Sequence, residues 1–371
     1  MKIDKDKIVL LINSLAGGGA EGVCVSIANS FADKGYQVDL VILNLNNEAY
    51  LDRLSKNVNL IVLNVNHARY SSPSLLRYIY KNKPKKILVF NYELSVMLVI
   101  LRFLFRIKIK IISRNINTLS KKMIFLEQQN FWTKYVVKTL IKYFYNKIDH
   151  VVNQCHAMHD DLIKIYPQLY HNSSVIYNPV SNHILDYVNL HDLHQIKKKD
   201  YLLCVGSLEK QKAFHYAIEA FATIANDFPK LRLKILGQGS LEQELKQKVI
   251  DYNLTGRVDF EGFQKDIIPY YLYARATVLT SIYEGFPNTL VESITLGTPV
   301  VSFDCPSGPR EIIKEGINGY LVKYKDTVDL KKKLLTVIKN EFSVEKMSST
   351  VESFKLNKIN KHYEKILSSS F

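Results

Sequence analysis

Glu284 and Glu292 bracket the segment best equipped for chemistry, Thr280-Ser281-Ile282-Tyr283-Glu284-Gly285-Phe286-Pro287-Asn288-Thr289-Leu290-Val291-Glu292-Ser293. An apolar strand ends near Leu279, and Gly285 permits a sharp turn. Pro287 suits the first helical position, where its missing N–H costs nothing. The N–H groups of Asn288 and Thr289 then point outward from a helix start, with Leu290 following, and can receive a diphosphate. Glu284 precedes the helix, while Glu292 lies roughly one and a half turns into it. A carboxylate beside bound phosphates is tolerable only if it accepts hydrogen bonds from hydroxyls, which sugars and riboses supply. The plainer alternative is a solvated acid at each place, with Glu292 merely complementing the helix dipole.

A second segment also favours anions. Ser14-Leu15-Ala16-Gly17-Gly18-Gly19-Ala20-Glu21-Gly22 leads from the first apolar run into an apolar helix. Its glycines let the backbone approach an anion, and the helix start adds partial positive charge. Gly17-x-Gly19-x-x-Gly22 fits the dinucleotide fingerprint, but the acid that should close the second strand is missing. That strand closes in Leu43-Asn44-Leu45-Asn46-Asn47, and Asp39 comes too early. Phosphate contact, a tight turn, and nicotinamide or flavin binding all stay open.

These segments need elements to hold them. At 371 residues, with 47% hydrophobic and 23% charged, the chain is globular and long enough for two domains. Strand-like runs alternate with amphipathic ones, the mark of α/β architecture with parallel sheets. The first half offers strands at Ile8–Asn13, Gln37–Leu43, Asn59–Leu63, Lys86–Phe90, Lys110–Ser113 and His150–Val152. The second offers Tyr201–Val205, Arg232–Leu236, Val258–Glu261, Thr277–Leu279 and Pro299–Ser302. Phe214, Ala217, Ile218, Phe221 and Ala225 share one helix face, as do Leu241, Leu245 and Val249. The rhythm breaks between Asn178 and Lys199. We therefore expect a Rossmann-like domain over 1–177, a linker over 178–199 and a second such domain over 200–371, with the last helix able to pack back on the first. Ligands in such sheets lie at the carboxyl ends of the strands.

Charge is uneven. Fifty Lys and Arg against 35 Asp and Glu give +15. Between Arg77 and His150 sixteen cations face three acids, Glu93, Glu127 and Asp149, a net +13. Such a region attracts polyanions, either nucleic acid or anionic lipid. Lys134, Lys138 and Lys142 recur at four-residue spacing, interleaved with Trp132, Tyr135, Tyr143 and Tyr145, and Arg102, Arg106, Lys108 and Lys110 stand among apolar residues. Aromatics with lysines suit a headgroup interface. A solvated helix face is the plain alternative, and no nucleic-acid module accompanies the residues. No apolar run reaches the ~18–20 residues of a spanning helix. With no signal-peptide pattern and four scattered cysteines (Cys24, Cys155, Cys204, Cys305), a cytoplasmic protein is expected. Asp4-Lys5-Asp6 precedes the first strand, and Cys155, His156 and His159 lack a fourth ligand, so no metal site is expected.

Glu284-x7-Glu292, within Tyr-Glu-Gly-Phe-Pro-Asn-Thr-Leu-Val-Glu-Ser, resembles the paired-glutamate signature of glycosyltransferase family 4, retaining enzymes of GT-B fold. Leu296-Gly297-Thr298-Pro299-Val300-Val301 and Cys305-Pro306-Ser307-Gly308-Pro309-Arg310-Glu311-Ile312 resemble the elements that follow it there. Upstream, Ile235-Leu236-Gly237-Gln238-Gly239, Val258-Asp259-Phe260-Glu261-Gly262-Phe263 and Gly17-Gly18-Gly19-Ala20-Glu21 are similar to its strand ends and glycine loop. The match runs from Ile8 to about Val322.

The resemblance implies two Rossmann-like domains facing each other across a cleft. It implies that Glu292 holds the nucleotide ribose and Glu284 the transferred sugar, while Lys212 clamps the diphosphate. Gly262-Phe263 would lie against the base, and Gly18, Gly19, Ser207, Gly237, Gly285, Asn288, Thr289 and Leu290 would complete the donor site. Two departures stand out. The usual arginine is Ser207 here, with Lys210 or Arg310 as replacements. The usual N-domain histidine is absent, with Arg114 and Asn115 in Ile112-Ser113-Arg114-Asn115 as residues lining the cleft. The expected activity is retaining transfer of a hexose or N-acetylhexosamine from a UDP-sugar, without metal or other cofactor. The expected acceptor is a lipid-linked saccharide at the cytoplasmic membrane face, as in lipopolysaccharide, O-antigen or capsule assembly. A two-domain nicotinamide oxidoreductase and a non-catalytic membrane- or nucleic-acid-binding protein are the rival readings.

Overall fold

The computed structural model describes residues 7–46, 49–127 and 132–368. The chain forms two compact units, Met1–Pro179 with Leu356–Phe371, and Val180–Lys355.

The first unit is built on seven parallel strands: β1 Ile8–Ile12, β2 Val38–Ile42, β3 Val58–Val62, β4 Lys86–Val89, β5 Lys110–Arg114, β6 His150–Asn153 and β7 Ser173–Val175. Their order is β3-β2-β1-β4-β5-β6-β7. Side chains alternate between faces, and both faces of the sheet centre are covered, so β1, β2 and β4 read as nearly continuous apolar runs. Val9, Leu11, Val41, Val89, Ile111 and Val151 pack under the Tyr92–Phe105 helix through Leu94, Leu98 and Leu101. Leu10, Ile12, Leu40, Leu88, Ile112 and Val152 pack on the other face with Ile27 and Phe31. The last helix, Leu356–Ser368, joins this second layer through Ile359, Tyr363 and Ile366. It is pinned there by a Lys34–Glu364 ion pair of 2.6 Å and by the Lys86 ammonium on the Leu367 carbonyl.

The second unit carries six parallel strands: β8 Tyr201–Val205, β9 Arg232–Leu236, β10 Val258–Gly262, β11 Ala276–Leu279, β12 Val300–Phe303 and β13 Gly319–Val322, in the order β10-β9-β8-β11-β12-β13. The expected helix face Phe214, Ala217, Ile218, Phe221 and Ala225 is buried in its core with Leu245 and Val249. Strand order reverses between β8 and β11, and ligands of doubly wound sheets bind at such a switch point.

Three features depart from the sequence reading. Edge strands β7 and β13 carry little apolar signal, Ser-Ser-Val and Gly-Tyr-Leu-Val, and were not expected. The 178–199 stretch, expected as a linker, is folded: it holds the helix Asn182–Leu190, buries Ile184 and Leu193, and donates from Val180 N–H to the Phe354 carbonyl at 2.9 Å. Its anchors are too irregularly spaced to show a period. Pro287 stands one residue before its helix, which spans Asn288–Thr295. Among the described residues no helix is long and apolar enough to cross a membrane.

Candidate active site

The two loops that leave the switch point of the second unit carry the charged residues. β8 runs into Gly206–Ala213, and β11 runs into Thr280–Pro287. Lys212 Nζ lies 2.6 Å from Glu284 Oε1, with side-chain exposures of only 17% and 7%. Residues 72 apart in sequence thus form one desolvated ion pair. Several contacts hold the loops in register. Ile282 N–H donates to the Gln211 carbonyl at 2.9 Å, and Gln211 Nε2 donates to the Tyr283 carbonyl at 3.0 Å. Thr280 Oγ1 donates to the Lys212 and Ala213 carbonyls, each at 3.1 Å. Ala213 has φ of 46°, a left-handed conformation that costs an alanine about 1–2 kcal/mol. The network around Thr280 holds that strained turn directly after Lys212.

Glycines bring the neighbouring strand ends close. A Cβ on Gly237 would meet the Gly206 carbonyl oxygen at 1.9 Å, and one on Gly206 would press on the Lys212 stem at 3.0 Å. Gly237 N–H donates to the Gly262 carbonyl at 2.8 Å. The ends of β8, β9 and β10 therefore form one laced rim, with Phe263 exposed beside it. On the other flank, Ser307 Oγ donates to the Glu284 carbonyl, and Gly308 fits against Pro287 where a Cβ would not. Burial pushes the Cys305 thiol up to about 12; the Glu284 charge adds to that and the Lys212 charge opposes it.

Glu292 accepts from the Tyr271 hydroxyl at 3.1 Å. At the helix start, Thr289 Oγ1 is buried with no hydrogen-bond partner among the described residues, as is Ser281 Oγ after the end of β11. Two orphaned hydroxyls in one loop region are costly unless a ligand serves them. Ser207 and Lys210 are exposed, and Arg310 is taken up in a two-pronged pair with Asp304. Lys210 makes no ion pair among the described residues, which leaves it the freer of the two cations considered for the missing arginine.

The remaining candidates lie in the first unit. Gly18 caps the helix Gly19–Asp33, and the Glu21 carboxylate folds back over it, so that a Cβ there would meet Glu21 Oε2 at 2.5 Å. Burial raises the Glu21 pKa. Arg114 is 1% exposed at the end of β5, donating from Nε to the Tyr363 hydroxyl at 2.8 Å and from Nη2 to Asn178 Oδ1. Its Nη1 has no hydrogen-bond partner among the described residues, and the guanidinium lies over the Phe90 ring. Asn115, on the opposite face, bonds Asn153 at 2.8 Å and accepts from the Tyr145 hydroxyl. Among the described residues no three His, Cys, Asp or Glu side chains converge on a point that could hold a metal ion, and Asp4 and Asp6 lie outside those residues.

Residues 17–182 match the family model described as Glycosyltransferase Family 4, and residues 189–354 the model described as Glycosyl transferases group 1. Together they take in most of both units. The chain belongs to glycosyltransferase family 4.

A glycosyltransferase of Methanocaldococcus jannaschii is 28% identical over 182 residues, 48% of this chain and 45% of that one. The amylovoran biosynthesis glycosyltransferase AmsD of Erwinia amylovora is 26% identical over 324 residues, 86% of each chain. A Campylobacter jejuni enzyme, named as an N-acetylgalactosaminyltransferase acting on a diphospho-undecaprenol-linked saccharide, is 29% identical over 214 residues, 57% of each chain. Among solved structures, Anabaena HepE in complex with UDP-glucose superposes with a TM-score of 0.76 over 98% of this chain and 99% of that one, at 21% identity. The fold class is GT-B, with two parallel-sheet α/β domains.

The basic stripe of the glycosyltransferase is less regular than its spacing implies. Trp132–Val137 is π-helical and Lys138–Phe144 α-helical, so Lys134, Lys138 and Lys142 do not stack on a single α-helical face. Lys138 is paired with Glu127. Lys134 and Lys142 lie over the rings of Tyr135 and Tyr143, which are exposed. Tyr145 is fully buried and belongs to the core, with its hydroxyl 3.0 Å from Ser113 Oγ. The Trp132 side chain lies outside the described set.

Proposed function

We propose that this glycosyltransferase moves a hexose or N-acetylhexosamine, with retention, from a UDP-sugar to a lipid-linked saccharide at the cytoplasmic membrane face, in surface polysaccharide assembly. The observation that carries the reading is the Lys212–Glu284 pair at the β8/β11 switch point, on the loop that leads into the helix Asn288–Thr295. A nucleotide diphosphate suits that place. Its phosphates take Lys212 and the helix start at Asn288, while its ribose hydroxyls donate to Glu292 and its sugar hydroxyls to Glu284. The base lies along Gly262 and Phe263. Lys212 counters the charge that grows on the leaving diphosphate, with Lys210 as the second cation.

In the step itself, the bond between the anomeric carbon and the diphosphate oxygen breaks. The acceptor hydroxyl oxygen bonds that carbon on the same face, and its proton passes to the departing phosphate oxygen. This balance needs no metal or separate base. Three names support the finer assignment: the UDP-glucose complex for the donor, and the amylovoran and undecaprenol-linked enzymes for the acceptor. The basic first unit supports the membrane surface as a partner.

Thermal shift across a panel of UDP, GDP, ADP and NAD tests the donor site. A UDP-selective rise is expected. A rise selective for NAD, or none with any nucleotide, contradicts it.

A further inference from the structure

The helix Tyr92–Phe105 buries Leu94, Leu98 and Leu101 in the first unit and then continues for one more turn. Leu104 and Phe105 follow Leu101 by three and four positions, so they continue its face beyond the end of the core. There the pattern breaks down: Phe103 is 78% exposed, Leu104 65% and Phe105 48%. Three consecutive large apolar side chains in water form a patch that calls for a partner.

Cations surround it. Arg106 caps the helix in a left-handed conformation, φ 51°, where glycine would cost less, so a charge stands at the tip in spite of strain. Lys108 follows, exposed. Arg102 Nη2 donates to the Lys147 carbonyl at 2.6 Å and its Nη1 pairs with Asp149, which fastens this tip to the end of the Lys138–Phe144 helix. Exposed Lys142, Tyr143 and Lys147 belong to that second end. Arg106, Lys108, Lys142 and Lys147 make no ion pair among the described residues, and the one nearby acid, Asp149, is taken. From Leu94 to Ile148 the sequence holds eleven Lys and Arg and one acid, Glu127.

We infer that Phe103-Leu104-Phe105 is a wedge that enters an anionic lipid surface, with Arg106, Lys108 and Lys142 on the lipid phosphates. Apolar side chains ringed by unpaired cations and a tyrosine match the layering of a headgroup boundary. The inference deepens the membrane-surface reading above: it shifts the anchor from the Lys134–Lys138–Lys142 stripe, where Lys138 is already paired, to the tip of the preceding helix. Attraction between charges fades with salt, whereas apolar insertion does not. Binding should therefore have a salt-sensitive part set by the cations and a salt-resistant part set by the wedge.

The test is co-sedimentation of the full chain with vesicles of phosphatidylcholine alone or mixed with phosphatidylglycerol, at low salt and at about 0.5 M salt. The triple variant Phe103→Ser, Leu104→Ser, Phe105→Ser should lose roughly tenfold or more of its high-salt binding to mixed vesicles. Phe103→Trp should retain it. Arg106→Gln with Lys108→Gln should lower low-salt binding and selectivity for phosphatidylglycerol. UDP binding, read by thermal shift, should match the parent in every variant, which shows that each is folded. If the parent binds mixed vesicles and the triple variant binds equally well, the wedge is wrong while membrane association stands. No binding of the parent to either vesicle overturns both. A parent that is dimeric in solution, with a triple variant that is monomeric, overturns the inference by assigning the face to a second copy. Tighter binding to duplex DNA than to vesicles overturns it in favour of nucleic acid. Failure of UDP to bind the parent counts against the donor reading alone.

Discussion

Lys212 and Glu284 neutralise each other at 2.6 Å on the two loops that flank the strand-order reversal of the second unit. The Glu284 carboxylate stands where an anion would otherwise draw Lys212. A diphosphate bound as proposed would compete with that carboxylate for the same ammonium.

This sets up opposite effects from one substitution. Glu284→Gln removes the competitor and its repulsion but weakens the acceptor for sugar hydroxyls. UDP should bind about three- to tenfold tighter by calorimetry, while the transfer rate falls about tenfold or more. Equal losses in both would mean that Glu284 only supports the loop.

Glu292→Ala should act differently, because Lys212 pairs with Glu284 while Glu292 accepts from the Tyr271 hydroxyl. On the proposed ribose role, the lost charge-assisted bonds are worth about 1.5–3 kcal/mol each, so UDP binding and turnover should both drop. A deoxyribose nucleotide should lose less on the variant than on the parent. Turnover within a few-fold of the parent, with unchanged UDP affinity, contradicts the ribose role.

Arg114 is a bolt for the first unit as well as a candidate for the site. Arg114→Met removes the hydrogen bonds that its guanidinium donates to the Tyr363 hydroxyl and to Asn178 Oδ1, at about 1 kcal/mol or more each in this buried setting. The unfolding midpoint should fall, and proteolysis should release the Leu356–Ser368 helix earlier. An unchanged midpoint would show that neither contact forms in solution.

His150 makes a prediction about acid. Burial pulls its pKa down to about 4 from 6.5, and the ring lies 2.9 Å from Ser174 Oγ. Between those values the unfolded chain takes up a proton that the folded one refuses. Stability from this group is present above pH 6.5 and is lost as pH falls through 4. The shift corresponds to at most about 3 kcal/mol. Denaturant unfolding of His150→Gln should show a shallower loss between neutral pH and about pH 4.5 than the parent. Identical slopes would contradict the buried neutral ring.

Much of this was legible in the residue pattern. The eleven expected strands stand close to where they were placed, most of them on dense Val, Ile and Leu runs, because sheets covered on both faces need such runs; β10, Val-Asp-Phe-Glu-Gly, is the exception. Edge strands β7 and β13 need less burial and leave little trace. Glu284 and Glu292 were visible from local spacing, but their partners were not: Tyr271 and Lys212 reach them only through the fold, and Thr280, Ser307 and the strained Ala213 carry no local signal. Tyr145 shows the converse error. Interleaving with lysines suggested a surface ring, whereas Tyr145 opens the 3-10 turn that follows the Lys138–Phe144 helix and is fully buried. Phe103, Leu104 and Phe105 look like core in sequence, and only the length of their helix beyond the sheet exposes them.

The most direct test is to follow the transfer itself. The protein is incubated with UDP-hexoses and UDP-N-acetylhexosamines and an undecaprenyl-diphosphate-linked saccharide, with and without EDTA, and the product's anomeric configuration is read by NMR. The account predicts UDP release matched by a glycoside of the donor's own configuration, undiminished by EDTA and lost in Lys212→Ala. An inverted product, turnover that requires magnesium, or no turnover with any nucleotide sugar would contradict it.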